Sequence, residues 1–363
     1  MSRSAMLKSS LPFVLSSICL VLAGCGSSAG TPGGSHEEIE LKGAGASFPA
    51  PLYQRWFAEY AAKHPGAKVE YTSVGSGAGI KQFTDNLVDF GASDAAMTPD
   101  EIAKVKEGVQ LLPMTAGSIV LCFNLKDTAG EPITRLKLSR AAYAGIFLGD
   151  IKMWNDPAIA SVNPDVKLPE KPISVVYRSD SSGTTYVFTR HLAAISEKWK
   201  AGPGGDKTVN WPIGSGAPKN DGVAGAIKDN EGAIGYVEFG FADKNKIAMA
   251  SLENKAGKYP EPNLKNAASA LASIKEFPSD LIVWLPDPEG DDSYPIVTYT
   301  WILVRAKFPD AEKLKGLKHL LKHCLTEGQK VSGELGYIPL PESVTKTVIA
   351  AIDNIKAPAS TTP

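Results

Sequence analysis

Between residues 39 and 355 strand-like and helical runs take turns, and small or hydroxyl residues fill the joints between them. A chain that alternates in this way must lay its strands side by side and cover them with the intervening helices. The pattern therefore predicts an α/β fold with mostly parallel strands. Strands are expected at 39–42, 67–73, 90–92, around Leu111, and at 119–124, 173–177, 234–237 and 296–304. Helices are expected at 51–63, 80–88, 139–148, 184–198, 221–228 and from 310 onward. In the first of these helices Trp56, Phe57, Tyr60 and Ala61 recur at helical spacing. Thr98-Pro99-Asp100-Glu101 reads as a helix start, with a capping hydroxyl, a proline in the first turn and an acid at its third position. Segments 202–220 and 254–266, rich in Gly, Pro, Asn and Lys, read as surface loops. The 363 residues suffice for two such lobes of ordinary size, and no internal repeat stands out.

The first residues read as a targeting segment. Arg3 and Lys8 precede an apolar stretch at 11–22, interrupted by Pro12, Ser16 and Ser17. That stretch is shorter than the roughly 20 apolar residues a membrane span needs. It ends in Leu22-Ala23-Gly24-Cys25, which resembles a bacterial lipoprotein lipobox. Residues 1–25 are thus expected to be a signal peptide, with Cys25 lipidated as the mature N-terminus. The Gly/Ser-rich segment 26–39 would be a flexible tether. Cys122, in an apolar run, and Cys324, in a helical pattern, read as two buried thiols, although an oxidising compartment leaves a disulfide open.

The formal net charge of −1 gives no basic field for nucleic acid or an anionic membrane surface. If the chain binds an anion, local geometry must do it. Three segments share a design suited to that: Gly43-Ala44-Gly45-Ala46-Ser47-Phe48, Gly75-Ser76-Gly77-Ala78-Gly79 and Arg178-Ser179-Asp180-Ser181-Ser182-Gly183-Thr184. Each lies after an expected strand and before an expected helix. Helix N-termini carry unpaired N–H groups and partial positive charge, and serine and threonine add rotatable hydroxyl donors. A single such loop is usually only a cap and a turn; three in one chain point to a shared oxyanion site. Arg178 adds a planar fork of donors that suits a tetrahedral oxyanion, and Asp180 reads as the group that orients it.

Asp94, in Gly91-Ala92-Ser93-Asp94, is the exception in such a site. A carboxylate repels an anion unless the anion carries a proton to donate. Phosphate does so near neutral pH and sulfate does not, so Asp94 is expected to admit a protonated oxyanion and reject an unprotonated one. The alternative role, capping the next helix, is already filled by Thr98.

Two of those loops belong to a longer set of motifs. Gly-Ala-Gly-Ala-Ser-Phe-Pro-Ala-Pro at 43–51, Val-Asp-Phe-Gly-Ala-Ser-Asp at 88–94 and the Arg178 loop belong to the set. So do Trp211-Pro212-Ile213-Gly214 and Gly-Ala-Ile-Gly-Tyr-Val-Glu at 232–238. Together they resemble, in order and over nearly all of 40–355, the signature segments of the phosphate-binding proteins of bacterial phosphate ABC transporters. The resemblance implies a periplasmic-binding-protein-like (type II) fold of two α/β lobes joined by a hinge. Residues 40–113 and 294–357 would form one lobe and 114–293 the other. It also implies that phosphate is held by Ser47, Phe48, Ser76, Asp94, Arg178, Ser182, Gly183 and Thr184, with Asp180 behind Arg178. Ser47 stands where threonine is common, which keeps the hydroxyl. The second loop reads Ser-Gly-Ala-Gly rather than Ser-Ser-Gly-Gly, which removes one neighbouring hydroxyl. The implied protein is extracytoplasmic and lipid-anchored to the cell membrane. It would be monomeric before docking on the membrane permease subunits, free of cofactors, and no enzyme.

Other readings find less support. His319 and His323 stand four apart with Cys324 adjacent, but Lys315, Lys318 and Lys322 share their face, so a solvated surface rather than a metal site is expected. Gly-x-Ser-x-Gly occurs only at 26–30, inside the expected tether and not at a strand-to-helix elbow, and the sequence holds no Walker loop or His-Glu-x-x-His. Ser343-Val344-Thr345-Lys346 fits Ser-x-x-Lys but lacks a Lys-Thr-Gly partner. An enzyme acting on phosphate esters would need a metal cluster or an activated nucleophile. A sensor or adhesion lipoprotein reusing the same fold is a further alternative that the sequence leaves open.

Overall fold

The computed structural model describes residues 39–274 and 277–357, and every structural statement below is made of these residues. The expected signal peptide with Cys25 and residues 26–38 of the expected tether lie outside them, and Ile39, placed in the tether by the sequence reading, is the first residue of a strand. There are eleven strands: β1 (Ile39–Gly45), β2 (Ala67–Ser73), β3 (Phe90–Ser93), β4 (Val109–Phe123), β5 (Lys137–Leu138), β6 (Ser174–Arg178), β7 (Ser215–Ala217), β8 (Ala233–Glu238), β9 (Ala248–Met249), β10 (Ser251–Leu252) and β11 (Val297–Arg305). Nine of them form one sheet in the order β2-β1-β3-β11-β4-β8-β6-β7, with β9 also on β4, while β5 and β10 pair separately. β2, β1 and β3 are mutually parallel at one end, and β8, β6 and β7 at the other. In the centre β11 runs antiparallel to β3 and β4, and β4 antiparallel to β8.

The expectation of mostly parallel pairing thus holds in each half and fails between them. The reason is connectivity. β4 carries the chain from the first half into the second and β11 brings it back, so these two strands run opposite to one another. β4 pairs with β11 through residues 109–118 and with β8 through 119–123. The sequence pattern broke this strand in two because Pro113 and Gly117 interrupt it. In the structure the interruption is a bulge: Trp301 pairs with Pro113 and Thr300 with Thr115, so Met114 has no partner of its own. A proline, which has no N–H to give a ladder, is accommodated at such an irregularity.

The helices cover the sheet with the residues their periodicity implies. Trp56, Phe57 and Tyr60 of the Ala50–Lys63 helix are all buried. The second helix begins and ends earlier than expected, at Ser76–Thr84, because Gly75 turns the chain at φ 87° and Asn86 departs at φ 58°. The expected 184–198 helix is two, Gly183–Ile195 and Glu197–Ala201, separated where Ser196 caps the second by accepting from the Trp199 N–H. The capping box at Thr98 forms as read, with Thr98 Oγ1 accepting from Glu101 N and Glu101 Oε2 from Thr98 N. The loop readings miss β7 and the starts of the Lys219–Asp229 and Leu264–Leu271 helices.

Cys122 in β4 and Cys324 in the Ala311–Leu325 helix are both buried and free, so no disulfide joins them. His319 is exposed as expected, yet it is not simply solvated. Its Nδ1 lies 2.9 Å from the Tyr60 hydroxyl, and its ring meets His64 edge-on. His323 is half-buried against Tyr60. No helix among the described residues is long and apolar enough to cross a membrane.

Candidate anion-binding site

In open α/β sheets the carboxyl ends of the parallel strands are where loops and helix N-termini converge. Here β1 runs into Ala46-Ser47-Phe48, β3 into Asp94, and β6 ends on Arg178. β2 leads through Gly75 to the helix that begins at Ser76. Phe48 is fixed by two contacts: its carbonyl accepts from the Tyr337 hydroxyl at 2.6 Å, and its ring packs edge-on against the Tyr337 ring. Gly75 has no room for a side chain, since a Cβ there would stand 2.4 Å from Asp180 Oδ2.

The structure brings all eight sequence-predicted residues together, and all eight are buried, including the charged Arg178 at 3% exposure. Four come from the first half of the sheet and four from the end of β6 and the turn into the Gly183–Ile195 helix. The two sets interlock. A Cβ on Gly183 would meet Ser76 Oγ at 2.5 Å and Asp94 N at 2.8 Å, so only glycine lets the loop approach this closely. Gly77 N donates to Ser181 O at 2.9 Å. At the rim Lys207 Nζ meets Glu101 Oε1 at 2.8 Å, and the Lys207 carbonyl accepts from Ser182 N at 2.9 Å.

One member of the cluster escaped the sequence reading. Asn220 is fully buried and lies between the halves. Its Nδ2 donates to Ser47 Oγ at 3.0 Å and to Thr184 Oγ1 at 3.3 Å, and its Oδ1 accepts from Glu238 N at 3.0 Å. The composition of 202–220 reads as loop, and the only local signal is the helix start after Pro218.

The hydrogen bonds point one way. Each site hydroxyl already accepts from a protein N–H: Ser76 from Asp94 N, Ser182 from Thr185 N, Ser47 from Asn220, and Thr184 from Asn220 and Arg178 Nη1. Ser47 and Thr184, each accepting two such bonds, have only their protons left to offer, while Ser76 and Ser182 keep a proton and one lone pair. The backbone N–H groups of Phe48, Gly183 and Thr184 have no acceptor among the described residues. Buried donors without partners are costly, and their convergence at two chain turns is the signature of an anion cradle.

Arg178 is held by Asp180 in a two-toothed pair, Nε to Oδ1 at 2.8 Å and Nη2 to Oδ2 at 2.6 Å. Burial alone would raise the Asp180 pKa, but the hydrogen bonds and charge of Arg178 and the Lys219 N–H hold it below the ordinary carboxylate range. Asp94 goes the other way. Burial lifts it to about 7, against the lowering effect of the Thr300 hydroxyl, which donates to Oδ1 at 2.8 Å, and of Arg178 and Thr184. Thr98 caps the following helix, so Asp94 is not that cap. Among the described residues no three His, Cys, Asp or Glu side chains are grouped to hold a metal. The arrangement offers many donors and one carboxyl able to gain or lose a proton near neutrality, which matches a tetrahedral oxyanion bearing one proton.

Comparison with known proteins agrees. The model of the PBP superfamily domain matches residues 27–318. The phosphate-binding protein PstS of Pasteurella multocida is 41% identical over 314 residues, covering 85% of this chain and 89% of that protein. That of Haemophilus influenzae is 39% identical, covering 85% and 91%. Among solved structures, a high-affinity periplasmic phosphate-binding protein, PfluDING, crystallised with phosphate, superposes with a TM-score of 0.70 at 22% identity over 86% of this chain and 93% of its own.

Proposed function

The chain belongs to the PBP superfamily and, within it, to the PstS phosphate-binding proteins, and from that premise we propose that it captures inorganic phosphate outside the cytoplasm and passes it to the membrane permease of a phosphate ABC transporter. It is a binding protein and not an enzyme. The observation that carries the reading is the buried donor cluster with Asp94 as its one proton-accepting member.

In this reading Ser47, Ser76, Ser182 and Thr184 give hydroxyl donors, and Phe48, Gly183 and Thr184 give backbone N–H donors. Arg178 supplies the positive charge, Asp180 aims it, and Asp94 accepts a hydrogen bond from the ligand's protonated oxygen. Residues 40–113 with 294–357 act as one lobe and 114–293 as the other. The contacts between Gly77 and Ser181 and between Lys207 and Glu101 support closure of the lobes around the ligand. Titration calorimetry should give one phosphate per chain with little response to sulfate, and small-angle scattering a smaller radius of gyration with phosphate. Absence of phosphate binding overturns the reading.

The lipobox supports lipid anchoring through Cys25, with the folded part monomeric until it meets the permease. One acyl chain holds a protein to a bilayer only marginally, so stable anchoring requires several. Mass spectrometry of the membrane fraction should find a mature N-terminus at acylated Cys25; an unmodified or uncleaved chain there refutes the anchor.

A further inference from the structure

Asn220 makes no charge and lies behind the hydroxyls, yet its geometry dictates what they can do. Its Oδ1 is committed to the Glu238 N–H, so its Nδ2 must face Ser47 and Thr184, which stand on opposite halves of the fold. Ser47 Oγ receives Nδ2 at 3.0 Å and the Asn220 backbone N–H at 3.3 Å, which occupies both of its lone pairs. Thr184 Oγ1 receives Nδ2 and Arg178 Nη1, both at 3.3 Å, with the same result. Neither hydroxyl can turn its oxygen toward the centre of the site without breaking these bonds. Each has only its proton left to give, and that of Thr184 lies toward the Asp94 carboxyl within the site.

The backbone is strained to achieve this. Lys219 has φ 58°, the left-handed region that a non-glycine residue adopts at a cost. The Lys219 N–H donates to Asp180 Oδ1 at 2.9 Å, and the left-handed turn just after it brings Asn220 into the cluster as the helix begins. One strained residue thereby ties the partner of Arg178 to the amide that sets the hydroxyls.

We propose that Asn220 is a positioning residue that fixes the hydroxyl dipoles of Ser47 and Thr184 as donors, and so sets the site's preference for negative charge without touching the ligand. The inference deepens the phosphate reading above and rests on it. It predicts that reversing the polarity of this one side chain does more harm than removing it.

Asn220→Asp is nearly isosteric but presents acceptors where Nδ2 donated, so both hydroxyls turn their protons toward it and away from the ligand. The loss of two hydrogen bonds to a charged ligand, together with the added charge, should weaken phosphate binding at pH 8 by about a thousandfold or more. Asn220→Ala leaves the hydroxyls undirected but uncharged surroundings, and should cost roughly tenfold to fiftyfold. Burial and the neighbouring Asp94 and Glu238 carboxyls favour the protonated form of the new carboxyl, which can then donate, so the Asp variant should recover toward the Ala variant as pH falls. Asp94, Arg178, Asp180 and Glu238 face the same cluster, so each measurement is referred to the wild type at the same pH. Melting temperatures without phosphate accompany each titration, because a merely structural role would lower stability in both variants without this order of affinities or the recovery at low pH. If either variant binds phosphate within about threefold of wild type at pH 8, or if Asp is no worse than Ala, the inference fails. Should the Asp variant not fold, the Ala variant carries the test, and unchanged affinity in it is decisive. Failure of the wild type itself to bind phosphate would sink the underlying reading instead.

Discussion

Asp94→Asn is expected to narrow the preference for phosphate over sulfate from about a thousandfold to about tenfold or less, mainly by letting sulfate in. In the wild type an unprotonated oxygen facing the buried carboxylate sets two acceptors against each other. An unsatisfied buried group costs about 1–3 kcal/mol and a charged one more, which is enough for the thousandfold gap. The amide of asparagine supplies a donor to either anion, so phosphate need not be lost. Competitive calorimetry of both anions on both proteins at one ionic strength measures the gap, and a variant that rejects sulfate as firmly as wild type would leave Asp94 with a structural role only.

The pH behaviour follows with a definite sign. The Asp94 carboxyl is raised to about 7 from an ordinary 3.8, so the folded protein holds this proton more tightly than the unfolded chain. Its contribution to stability is therefore complete below 3.8 and lost as pH rises through about 7. Below about 7 the protonated carboxyl can itself donate to sulfate, so wild-type discrimination should weaken on acidification, whereas the Asn variant should show no such change.

Arg178→Gln should weaken phosphate binding by roughly two to three orders of magnitude. The variant loses the charge-assisted bonds to the anion, about 1.5–3 kcal/mol each, and leaves the Asp180 carboxylate uncompensated beside it. The Asp180 pKa should rise once its partner is gone. Arg178→Lys should restore little of the affinity, since a single ammonium cannot hold both Asp180 oxygens and reach Thr184 Oγ1 as the fork does. Calorimetry gives the affinities, and melting without phosphate separates binding from folding. A lysine variant with near wild-type affinity would show that charge alone, not the fork, is what Arg178 supplies.

Much of this site was legible in the sequence because its residues advertise themselves locally. Ser47, Ser76 and the Ser182-Gly183-Thr184 run lie where a strand gives way to a helix, and although one such cluster is commonly only a cap and a turn, three in one chain stand out. Asp94 was legible by contradiction, as an acid among donors with its capping role already taken by Thr98. Asn220 was not, because its meaning lies in three partners between 18 and 173 residues away in the chain. The central antiparallel strands were hidden for a related reason. Pairing direction depends on how the chain returns, and β11 returns from the far side of the second half. The unity of β4 was masked by Pro113, whose bulge only the partner strand reveals.

β11 has a consequence for how the chain comes to be folded at all. It is the strand that joins β3 to β4, yet it begins only at Val297, about two hundred residues after β3 ends. An emerging chain can complete the pairing of β6, β7 and β8 long before that, but its first three strands must wait with one edge of β3 and one of β4 open. Such distant pairing makes for slow folding, and open edges invite strands from other chains. Any truncation before Val297 would make that vulnerable stage permanent. The residues most in need of protection during synthesis and export are thus the earliest made, 39–123, and the last strand to arrive is what closes them.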